Sequence, residues 1–222
     1  MPRIPDPAPV ADGVRTLADF MHYIGDVPAE RIMLRPPPGM ANADDVLRLE
    51  RQDNRLCELV DGVVVAKLLG YKEMTVAANL LAEMEAHAAE KKLGVVTGPA
   101  FYRLGDHVVR VPAVAFCATG SFRSDTAPGE GAAGIVPQLV AEIDDGSAPA
   151  ELARKLTDYF AGGVKLVWVI HIDRRTATAW SSPKKSVAIP ARGSLDAGRI
   201  VRGFTLPLAR LFDNRGAAKR RA

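Results

Sequence analysis

The chain has 222 residues, 48% of them hydrophobic and 25% charged, the proportions of a globular protein with one substantial core. No apolar run approaches a membrane span, and residues 1–13 (MPRIPDPAPVADG) lack a signal peptide's apolar core, so we expect a cytoplasmic protein without a membrane partner. The net charge of +3 resides entirely in the tail 213–222, where Arg215, Lys219, Arg220 and Arg221 outnumber Asp213, so the body is neutral and charge alone identifies no nucleic-acid binder.

Cys57 and Cys117 lie in apolar runs and read as buried free thiols. His22, His87, His107 and His171 show no zinc spacing. Walker, dinucleotide and Gly-x-Ser-x-Gly signatures are missing, and the glycine-rich stretch 129–134 has neither the lysine nor the helix that phosphate binding requires.

In chain order, residues 1–44 read as an N-terminal extension, disordered over 1–13. Within it the spacing predicts a short helix over 16–24, capped by Thr16, with Leu17, Phe20 and Ile24 on its inner face. The prolines of 35–39 enforce an extended connector, and 42–51 reads as a second short helix with Asp44 and Asp45 in its first turn. Residues 45–213 form the main domain, and 214–222 a basic disordered tail. Asp61-Gly62 between two β-rich runs predicts a hairpin over 56–68. A long helix follows over 71–92, with Val76, Leu80, Leu81, Met84 and His87 inward, then strands over 95–97, 101–104 and 107–118. Residues 119–136 read as a flexible loop.

The stretch 137–172 organises the chain. An apolar run reaches Glu142, the DDG of 144–146 breaks it, and Ser147 and Pro149 start a helix that Gly162-Gly163 ends. Residues 165–172 are apolar enough for a strand buried on both faces, which makes a right-handed βαβ crossover. Further strands are expected at 175–182, 187–189 and 199–201, and residues 204–212 close the chain with a short strand and one helical turn.

Glu142 and Asp144 lie two residues apart at a strand end and so share a face, while Lys155 sits beside the apolar stripe of the next helix. Two acids and a lysine suit a divalent metal and an activated water; on spacing alone an ordinary salt bridge to Lys155 is the simpler explanation. Glu58 beside the hairpin is a further candidate, or simply the partner of a nearby cation such as Arg55. Tyr159 and Trp168 read as packing residues, one against the other.

CELVDG, GYKE, VRVPAVAF, LVAEI, ELARKLTDYFAGGVKLVWVI and GFTLPLARLF, in that order, resemble the pattern of the Uma-two family, restriction-endonuclease-like proteins of the PD-(D/E)XK nuclease superfamily. The resemblance spans roughly residues 45–213. It implies an α/β restriction-endonuclease-like core, a mixed β-sheet flanked by helices, that cuts DNA with Mg2+ or Mn2+, often as a homodimer. It also implies roles for Glu58, Glu142 and Lys155 as catalytic residues, with Glu142 holding the metal; Asp144, outside the family pattern but on the same face, is our own candidate for a second metal ligand. One departure stands out. Where the family carries Pro-Asp, this chain reads Pro112-Ala113, and Ala113 offers no oxygen. The expectation is a metal-dependent endonuclease impaired at this position, or else an inactive nuclease-fold module that binds DNA or a protein.

Overall fold

The computed structural model describes residues 14–121 and 135–213. The expectations for 1–13, for most of the loop 119–136 and for the basic tail lie outside the described residues.

α1 (Leu17–Tyr23) begins with the capping box that Thr16 predicts, closed by Asp19. Phe20 and Ile24 turn inward, but Leu17, expected on the inner face, is 75% exposed at the first position of the helix, where little packs over it. α2 (Ala43–Asp53) uses Asn42 and Asp45 in the same way and stops at Asn54 in the left-handed conformation. β1 (Cys57–Val60) and β2 (Val63–Ala66) form the expected hairpin. Its central residues Asp61 and Gly62 both have positive φ, as a type I′ turn requires. α3 (Tyr71–Glu90) buries Val76, Ala77, Leu80, Met84 and Ala88.

β3 (Gly94–Thr97), β4 (Tyr102–Gly105), β5 (Val108–Arg110) and β6 (Val114–Ala118) follow. The single strand expected over 107–118 is therefore two. Pro112 has no N–H to give a ladder, and at Val111–Ala113 the chain passes from one sheet to another. β7 (Leu139–Asp144), α4 (Pro149–Ala161) and β8 (Leu166–His171) make the expected crossover, with β7 and β8 parallel from Leu139–Leu166 to Asp144–His171. Ser147 is not its cap: the helix starts from Ala148, with Pro149 in its first turn, and the Ser147 N–H is held by Asp145. β9 (Thr176–Ser182), β10 (Lys185–Ile189), β11 (Ser194–Asp196) and β12 (Thr205–Pro207) complete the chain with a closing 3-10 turn, Leu208–Leu211. The strand expected at 199–201 is a turn, and the one at Ser194–Asp196 was not anticipated.

The strands form a mixed six-stranded sheet, β10-β9-β8-β7-β6-β3, an antiparallel four-stranded sheet, β2-β1-β5-β4, and a small β11–β12 pair. The six-stranded sheet is covered on both faces. Leu139, Ala141, Trp168 and Ile170 pack with α3 and the C-terminal segment, whereas Val140, Val167 and Val169 pack with Leu156 and Tyr159 of α4. Strand alternation therefore puts Tyr159 and Trp168 on opposite sides, and the expected packing of one on the other does not occur. Trp168 instead lies 6.2 Å from the Phe204 ring. This division places the inner end of the four-stranded sheet, the C-terminal part of β7 and the buried face of α4 around one charged cluster.

Candidate active site

β1 contributes Glu58, fully buried on a strand whose every residue is buried. Its cross-strand neighbour is Val65, and two residues further on the same face comes Lys67, whose backbone N–H still donates to Leu56 at 2.9 Å. β5 contributes Arg110, β7 contributes Glu142, and α4 contributes Glu151, Lys155, Asp158 and Tyr159, four residues spaced to share one helix face.

Glu58 and Glu142 are brought together across the two sheets by lysines. The Lys67 Nζ lies 3.2 Å from Glu142 Oε2 and 3.6 Å from Glu58 Oε1. Lys155 Nζ lies 3.4 Å from Glu58 Oε1, 3.7 Å from Glu142 Oε1 and 3.6 Å from Glu151 Oε1. The Tyr159 hydroxyl donates to Glu142 Oε1 at 2.5 Å. Arg110 is 99% shielded and joins Glu58 Oε2 at 2.9 Å to Asp158 Oδ2 at 2.5 Å, while the Val111 N–H donates to Glu58 Oε1 at 3.1 Å. Arg31, from the N-terminal extension, grips Glu151 with two bonds of 2.7 and 3.0 Å. Arg154 continues the network from Asp158 to Asp61.

Burial would raise the pKa of Glu58, but the charges of Lys155, Lys67 and Arg110 outweigh it and hold the carboxyl well below the ordinary glutamate range. The two lysines move in opposite directions. Burial presses on Lys67, yet Glu142 and Glu58 overcome it and keep that ammonium charged beyond its usual range. At Lys155 burial prevails over the same carboxylates, helped by the like charge of Lys67, and the pKa falls.

The three expected catalytic residues, Glu58, Glu142 and Lys155, thus converge. Glu58 is paired with Arg110 and the lysines; the suggested partner Arg55 reaches Met33 instead. Asp144 follows a different course. It lines the same cavity of about 500 Å³ as Glu142, but its Oδ2 meets His171 Nδ1 at 2.8 Å and its Oδ1 accepts from the Gly146 N–H at 3.0 Å. Ala113 sits at the head of β6, its N–H donating to the Ala141 carbonyl at 3.0 Å, level with the Ala141–Glu142 step of the neighbouring strand. Lys67, Arg110, Asp158, Glu151 and Arg31 were not anticipated. Lys67 and Arg110 had a signal, each being a lone cation at the end of a β-rich run.

This donor set does not fit a divalent cation. Both oxygens of Glu58, Glu142 and Asp144 already meet protein donors or cations, and Ala113 has no side-chain oxygen. Among the described residues no three His, Cys, Asp or Glu side chains form a group that could hold a metal ion. The cavity wall is nevertheless acidic: Asp26, Glu30, Glu73, Glu142, Asp144, Asp145 and Glu151 face Arg31, Lys67 and Lys155.

The family model described as "Uma2: Putative restriction endonuclease" matches residues 43–209. The chain belongs to the Uma2 family. A crystal structure titled as that of "a putative nuclease belonging to DUF820 from Anabaena variabilis ATCC 29413" superposes with a TM-score of 0.60 at 12% identity, covering 72% of this chain and 90% of that one. At that identity the match establishes a shared fold: the mixed α/β architecture of this Uma2 member is that of the nuclease-like structure. No curated protein matches the chain. No helix among the described residues is long and apolar enough to cross a membrane.

Proposed function

We propose that this Uma2 member is a nuclease-fold protein whose metal-dependent phosphodiester cleavage is impaired, and that its fold serves as a DNA-binding module. Position 113 carries this reading. An alanine, bonded through its N–H to the Ala141 carbonyl just before β6, stands where the family pattern has an aspartate, and the acids that remain are neutralised from within. Hydrolysis by the family's chemistry needs carboxylates that fix a dication, which in turn offsets the phosphate charge and acidifies a water. Here Glu58 and Glu142 hold lysines in place, and Lys155 is engaged by three carboxylates. DNA as the ligand rests on family membership. A protein partner with a basic segment is the second reading, favoured by the acidic wall of the cavity, which repels phosphate when no dication is present.

The test pairs two assays. Supercoiled plasmid is incubated with Mg2+ or Mn2+ and the natural protein or its Glu142→Gln variant; nicking no greater than that of the variant is expected, and cleavage that the variant loses would overturn the impairment. Fluorescence anisotropy with a labelled duplex in EDTA should give binding that weakens as salt rises. A flat titration at low salt would transfer the reading to the protein partner.

A further inference from the structure

We propose that Lys67 is the resident cation of this site: its ammonium takes the position between Glu58 and Glu142 that a divalent ion would need, and thereby excludes one. The inference rests on the impaired-nuclease reading and identifies the side chain responsible.

Three observations carry it. Lys67 Nζ reaches Glu142 Oε2 at 3.2 Å and Glu58 Oε1 at 3.6 Å, so it bridges acids supplied by different sheets; Lys155, the lysine that the family pattern includes, bridges the same two at 3.4 and 3.7 Å, which makes Lys67 the added cation. Its side chain is only 8% exposed, so the ammonium is held among its acid partners at the wall of the cavity and not in open water. The charges also balance. Around the two acids, Glu58, Glu142, Glu151 and Asp158 are met by Arg31, Lys67, Lys155 and Arg110. A dication added to this set would leave a buried charge of +2 without counterions, which is strongly unfavourable. The lysine is tethered just after β2, so it stays at high local concentration and a dication must compete with it.

The experiment is thermal denaturation of the natural protein, Lys67→Met and Lys67→Gln, each in EDTA and across a Mn2+ titration, with Ala113→Asp run alongside. The natural protein should show no saturable Mn2+ shift. Lys67→Met and the gentler Lys67→Gln should melt several degrees lower in EDTA, and Mn2+ should restore much of the loss, an effect removed by adding Glu142→Gln. Ala113→Asp alone should remain insensitive to Mn2+, because the ammonium still stands in the gap. A saturable Mn2+ shift in Ala113→Asp, or a folded Lys67 variant that ignores Mn2+, overturns the role of Lys67 while leaving the impaired reading intact. A saturable shift in the natural protein, abolished by Glu142→Gln, overturns both, and that arm decides even where a Lys67 variant does not fold.

Discussion

At the scale of single residues, the site is a set of mutual obligations. Arg110 is the clearest case, since it alone joins Glu58 to Asp158 in a region closed to water. Arg110→Met should destabilise the fold by about 3–5 kcal/mol, the usual cost of stranding a buried charge, and urea denaturation would measure it. Acid should act on the same spot. Because the folded state holds Glu58 below its ordinary value of 4.5, its contribution is present above about pH 4.5 and is lost as pH falls through the lower folded value. The melting temperature should therefore drop on acidification, and Glu58→Gln should be less stable at neutral pH but show a flatter acid limb. Alkali sets the lysines against each other. Lys67 gives stability below pH 10.5 that is lost as pH rises further, whereas the depressed Lys155 makes stability increase as pH climbs towards 10.5.

At the scale of elements, the sheets meet closely and tolerate little insertion. A Cβ at Gly94, the first residue of β3, would fall 2.1 Å from the Cys117 carbonyl oxygen on β6. Gly94→Ala should cost about 1–3 kcal/mol by forcing the two strands apart, detectable as a lowered urea midpoint with the m-value unchanged. The elements were largely legible in the sequence because each rests on local rules. Asp61-Gly62 dictates its hairpin, Asn42 and Asp45 their helix start, and the continuous apolar run at 166–170 its place in the middle of a sheet. What sequence could not give was convergence. Nothing local reveals that Arg110 meets Glu58 rather than a nearer acid, or that Lys67 lies against Glu142, 75 residues away. The same limit explains Asp144: period-two spacing correctly places it beside the cavity with Glu142, but its partner His171 comes from the parallel strand, and only the β7–β8 register pairs them.

At the scale of the whole molecule, the family's share of the chain, residues 43–209, is not self-sufficient here. Ile24 and Val27 are buried against Val60, Val63 and Val65, and Arg31 supplies both hydrogen bonds that neutralise the Glu151 carboxylate. A chain begun at residue 43 should expose that apolar surface and leave Glu151 with the more distant Lys155 as its remaining cation. It is expected to unfold at clearly lower urea than the full chain and to bind a hydrophobic dye before it does. The Arg31–Glu151 pair, separated by 120 residues, also has a consequence in time. A ribosome adding about 5–20 residues per second delivers Glu151 roughly 6–24 s after Arg31. Until β7 and α4 have been made, Arg31 lacks Glu151, and Lys67 and Arg110 have only Glu58 among their final acid partners, so the charged cluster cannot be completed before residue 158 is added. Completion of the charged cluster is therefore a late step of synthesis, and the nascent chain is the stage at which a chaperone has most to hold.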